Sequence, residues 1–87
     1  MNIKLVRTLT NLYIIGDVEL KNEYLVVKKP YSFIPTQDGI GMLPMDSEIL
    51  GKELNEIKIK IDDVLYSEAP TEQIQKAYQE ARSGLIL

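Results

Sequence analysis

The segment Glu56-Ile57-Lys58-Ile59-Lys60-Ile61 alternates apolar and charged residues without a break. Successive side chains of a strand point to opposite faces, so Ile57, Ile59 and Ile61 share one face and Lys58 and Lys60 the other. A helix would scatter the same residues around its circumference. The segment therefore reads as a half-buried strand, and a strand is stable only within a larger sheet. The rest of the chain must supply that sheet.

It does so mostly upstream. Residues 3–9 are rich in β-formers, with Ile3, Leu5 and Leu9 expected on one side. Thr10-Asn11 suits a tight turn, and residues 12–21 form a second strand interrupted by Gly16. A lone glycine inside a strand marks a bulge or a sharp bend, which a small barrel needs where a long strand turns a corner. A polar turn at 21–23 leads into a third strand over 24–34, where Pro30 cannot donate to a ladder and forces a bend. Residues 35–55 are less regular: a turn at Gln37-Asp38-Gly39, a short strand over 40–45 ended by Pro44, then a loop with room for one helical turn. Asp62-Asp63 turns the chain into a last short strand at 64–67.

The period then changes. Ile74, Ala77, Tyr78 and Ala81 recur at helical spacing, after Thr71 as a cap and Glu72 in the first turn. A helix over 71–82 follows, with Gly84 as its C-cap and Leu85-Ile86-Leu87 as an apolar tail that packs on something. With 87 residues there is room for one domain, which buries roughly 60–65% of its unfolded surface and gains from a partner covering its edges. The single domain divides into a barrel at 3–67, an insert at 35–55 and the helix at 71–82.

Two segments look like the halves of the Sm and Sm-like (LSm) motif. Leu9-Thr10-Asn11-Leu12-Tyr13-Ile14-Ile15-Gly16-Asp17-Val18 resembles the first, a hydrophobic strand, a short turn and a strand carrying a glycine. Six residues beyond that glycine the family has an aspartate in a turn; here Asn22 stands there, followed by Tyr24 at the aromatic position and Leu25 at the aliphatic one. Ile59-Lys60-Ile61-Asp62-Asp63-Val64-Leu65-Tyr66 resembles the second half, with Lys60-Ile61 in place of an Arg-Gly pair. Lys29-Pro30, the run from Gly39 to Pro44 and the Ser83-Gly84-Leu85-Ile86 ending look like the divergent Sm-like proteins of tailed phages and cyanophages. The family's N-terminal helix is missing, and the C-terminal helix is expected to cover the surface it would have capped.

The resemblance implies a mostly β fold: a small, strongly bent, five-stranded Sm-like (SH3-like) barrel with an extra short strand in the insert and a C-terminal helix. It implies a homo-oligomeric ring of about five to seven copies, in which the fourth strand of one copy pairs with the fifth of its neighbour. Here Ile57, Ile59, Ile61, Val64, Leu65 and Tyr66 become the candidate interface. A free apolar strand margin independently invites such pairing. The family's rings bind single-stranded RNA, which makes Tyr24 the candidate base-stacking residue, Lys60 the candidate cation, and Asn22 and Asp62 their neighbours. Val26 replaces the asparagine that reads the base edge, Lys60 lacks the guanidinium fork, and Asp62 and Asp63 add negative charge. These departures count against uridine specificity and leave sequence-tolerant stacking and charge contact.

The function expected is single-stranded RNA binding by a ring, in RNA processing or phage gene regulation. The alternative is a protein-binding assembly adaptor that keeps the ring without the RNA site, which the net charge of −3 favours. An enzyme is not expected. The chain holds no His for general acid–base work and no Cys as nucleophile or disulfide partner. No cofactor or metal is expected, a Mg²⁺ at Asp62-Asp63 being the weaker alternative to a plain turn. The chain shows neither a secretory signal nor a run of roughly 18 apolar residues, so no membrane partner is expected and the place of action is the cytoplasm.

Overall fold

The computed structural model of the chain describes residues 2–37 and 39–83. Six strands, β1 (Ile3–Thr8), β2 (Tyr13–Lys21), β3 (Tyr24–Thr36), β4 (Gly39–Pro44), β5 (Glu56–Lys60) and β6 (Val64–Glu68), build one bent antiparallel sheet. A four-residue helix, α1 (Ser47–Leu50), sits in the insert, a 3₁₀ turn (Ile61–Asp63) joins β5 to β6, and α2 (Glu72–Ser83) follows. The strand order is β4-β3-β2-β1-β6, with β5 also paired to β3. This mostly β, strongly curved sheet with a C-terminal helix is in keeping with a small barrel. Among the described residues no helix is long and apolar enough to cross a membrane.

β3 is the pivot, and Gly16 is the reason it can be. Ile15 pairs with Tyr31 but Asp17 pairs with Lys28, so Lys29 and Pro30 together face the single residue Gly16. This two-against-one arrangement is a β-bulge. A Cβ on Gly16 would stand 2.5 Å from Val27 Cγ1 and 2.8 Å from the Lys28 carbonyl oxygen, so nothing larger fits. Lys29 takes the left-handed region at φ 51°. Beyond the bulge β3 changes partners. Residues 24–28 pair with β5 and residues 31–36 with β4. The lost donor of Pro30 costs nothing here, and its carbonyl accepts from Met45 N–H at 3.0 Å.

The extra residue also reverses the side-chain alternation along β3. Leu25 and Val27 join Val6, Ile14 and Val18 in a cluster inside the curve of the sheet. Tyr31 instead joins Ile3, Ile15 and Tyr78 on the outer face, beneath α2. Thr71 caps that helix by accepting from Ile74 N–H at 3.3 Å. Tyr78 is fully buried, meets Tyr31 edge-to-face at 5.4 Å, and donates its hydroxyl to the Lys29 carbonyl at 2.8 Å. Burial raises the ionisation of both tyrosine hydroxyls above the ordinary value.

Two placements differ from the sequence expectation. Leu9 is not on the face of Ile3 and Leu5: β1 ends at Thr8, the chain turns, and Leu9 stays 58% exposed. Ile61 does not continue the face of Ile57 and Ile59, because the 3₁₀ turn begins at that residue. The Asp38 position, the Gly84 cap and the Leu85-Ile86-Leu87 tail lie outside the described residues.

Candidate functional site

Tyr24 and Lys60 stand directly opposite each other in the β3–β5 ladder. The ladder is anchored at its ends by Lys29 N–H to the Asn55 carbonyl (2.8 Å) and Ile61 N–H to the Glu23 carbonyl (3.0 Å). Hydrogen-bonded and open pairs alternate in an antiparallel ladder, which makes Tyr24–Lys60 an open pair, the kind whose side chains approach more closely. Their side chains share the outer face, since the alternating residues Leu25 and Val27 on β3 belong to the inner cluster and Ile57 and Ile59 on β5 pack against it.

The Ile61–Glu23 bond draws the β2–β3 turn against the 3₁₀ turn. The hollow left between them is a cleft of about 350 Å³, lined by Glu23, Tyr24, Lys60, Ile61 and Asp62. Three of the four residues expected to bind RNA thus meet in one place. Tyr24 is 37% exposed and Lys60 and Asp62 are exposed. The fourth, Asn22, lies outside the lining. Its φ of 55° gives it the turn-forming role for which asparagine is suited.

Glu23, beside Tyr24, also lines the cleft, although in the sequence it reads as an ordinary turn residue. The cleft therefore holds one ammonium, two carboxylates and one aromatic ring. It offers no side-chain amide. Val26, two residues along from Tyr24, is buried and lies between Glu19 and Lys58 in register, so it contributes no polar group. The same face carries Lys21 and Lys28 beside Asp17, Glu19 and Glu56, with Lys21 and Glu19 paired at 4.0 Å, a face of mixed charge.

The two aspartates part company. Asp62 lines the cleft, whereas Asp63 lines a separate hollow with Leu9, Leu12, Ile57 and Ile59, its carbonyl accepting from Leu9 N–H at 2.9 Å. Among the described residues no three acidic, His or Cys side chains converge on a point where a metal ion could sit.

The residues expected at an interface divide by what they touch. Ile57, Ile59 and Val64 are half-buried against the inner cluster of their own chain. Ile61 lines the cleft, and Leu65 and Tyr66 are exposed on β6. What β5 offers a neighbour is therefore backbone. The alternation fixed by the two anchoring bonds turns the N–H and C=O groups of Glu56, Lys58 and Lys60 away from β3. β5 pairs only with β3 and β6 only with β1 among the described residues, so each has one open margin. No protein-family model matches the chain, and no curated protein matches it in sequence.

Proposed function

We propose that this chain is a subunit of an Sm-like ring that binds single-stranded RNA, with one nucleotide held at the cleft of Tyr24, Lys60 and Asp62. The observation that carries the reading is the convergence of Tyr24 and Lys60 from two distant segments into one open cleft. An aromatic face and an adjacent ammonium supply the two contacts a single-stranded nucleic acid needs, stacking for a base and charge for a phosphate. The open margins of β5 and β6 support assembly, because exposed strand edges that pair with a sister copy in a closed ring cease to be a liability. A role in RNA processing or phage gene regulation, in the cytoplasm of the host, goes with this reading.

The second reading is a ring that recognises protein instead. Glu23 and Asp62 favour it, since two carboxylates around an aromatic ring also suit the guanidinium of a partner's arginine.

Fluorescence anisotropy with labelled poly-U, poly-A and single-stranded DNA at two salt concentrations tests the proposal, with light scattering for assembly. RNA binding that weakens with salt and falls about tenfold in Tyr24→Ala is the expected result. A folded monomer, or an assembly that binds none of the three at tens of micromolar, would overturn the RNA-binding ring.

A further inference from the structure

We infer that the cleft discriminates among bases and takes guanine ahead of uracil, with Asp62 as the reading group; this rests on the nucleic-acid reading above. Lys60 and Asp62 both line the cleft, two residues apart across the start of the 3₁₀ turn. At neutral pH an ammonium only donates hydrogen bonds and a carboxylate only accepts them. The pair presents a donor beside an acceptor with two oxygens.

Base edges differ in which partner they match. Guanine shows one acceptor, O6, next to two neighbouring donors, N1–H and the N2 amino group. A carboxylate takes the two donors side by side, while the ammonium stays on the phosphate and O6 faces solvent at this open site. Uracil shows a donor flanked by two acceptors, so one of its carbonyl oxygens must face a carboxylate. Cytosine has two acceptors and one donor, and adenine one of each. Only guanine offers two adjacent donors to a single carboxylate.

The rest of the lining sharpens the choice. Glu23 adds a second acceptor that disfavours carbonyl edges, and no amide is present that could turn over to suit them. Val26 is buried and apolar, and Asn22 lies outside the cleft. Tyr24 stacks every base with only a modest preference among them, which leaves the sharper selection to the carboxylates. Asp62 has the shorter side chain, so it loses less freedom than Glu23 on binding.

Labelled uridine oligomers of about six nucleotides, compared with the same oligomers carrying one guanosine or one inosine, test this with the full chain. A bidentate pair at an open site should give the guanosine oligomer about tenfold tighter binding than the all-uridine one. Inosine, which lacks the N2 amino group, should fall between them. Asp62→Asn, an exposed substitution of equal size, should collapse the roughly tenfold ratio of guanosine-oligomer to all-uridine affinity. Equal or tighter binding of the all-uridine oligomer would overturn the guanine assignment and leave RNA binding standing. Absence of binding by all three, with capture of an arginine-rich peptide instead, would overturn the function on which the assignment rests.

Discussion

The Tyr78 hydroxyl donates to the carbonyl of Lys29, tying α2 to the residue at which β3 bulges and changes partners. The contact spans 49 residues of sequence and reaches a strand residue held in the left-handed region at φ 51°. Tyr78→Phe keeps the ring against Tyr31 but leaves a part-buried carbonyl unpaired. The expected loss is about 1 kcal/mol in urea unfolding. Tyr78→Ala also empties the space beneath α2 and should cost about 3–5 kcal/mol. Equal small losses for the two variants would mean that α2 is not docked as described.

The same burial gives stability an alkaline limit. Tyr78 and Tyr31 both ionise above the ordinary tyrosine value of 10.0, chiefly because burial disfavours the phenolate. In the unfolded chain the protons leave first. The folded state therefore holds more protons above pH 10, and stability present below that pH declines as pH rises through the raised folded values. Urea midpoints measured from about pH 8 to 11 should fall only at the alkaline end, and Tyr78→Phe should lessen the slope. A midpoint that rose over that interval would contradict the burial of both rings.

Gly16 should tolerate no substitution. Its missing Cβ makes room for Val27 and the Lys28 carbonyl, and one of those contacts is with backbone that cannot swing aside. Gly16→Ala should cost about 1–3 kcal/mol, an overpacking loss read as a lowered thermal midpoint. An unchanged midpoint would show that the bulge can slide.

Much of this architecture is legible in the residue pattern, and the reasons for the rest are physical. The period-2 run at 56–61, the glycine in β2 and the proline in β3 each announce themselves. That Gly16 and Lys29-Pro30 face each other as one bulge depends on strand register, and register is a long-range property that neither segment carries alone. Leu9 departs from the expected face because alternation has no meaning past the end of β1 at Thr8. At the cleft, Tyr24, Lys60 and Asp62 are named by their positions in the two segments that resemble the Sm-like motif. Glu23 is not, because a turn carboxylate looks like any solvated one until a backbone bond from Ile61 draws it against another turn.

If copies join through β5, the junction is made by backbone and can be blocked there. Lys58 is in an open pair with Val26, so its N–H points away from β3. Lys58→Pro removes that outward donor and leaves the β3 ladder its bonds, an arrangement an edge strand accepts. The circular dichroism should be preserved, and light scattering should shift from an assembly to a single chain. An assembly of undiminished size would place the contact on another surface.

Lys60 separates charge from stacking. A lysine that neutralises one phosphate contributes about 0.7 to the slope of log affinity against log salt for a single strand. Lys60→Gln should therefore flatten that slope by about 0.7 and weaken binding at low salt far more than at high salt. Tyr24→Ala removes a neutral contact and should shift the whole line downward without changing its slope. The two side chains are opposed in one ladder pair, so the double variant should lose less than the sum if they hold one nucleotide between them. Strict additivity would mean that they touch different parts of the strand, and that the cleft is a crossing point for the backbone instead of a seat for a base.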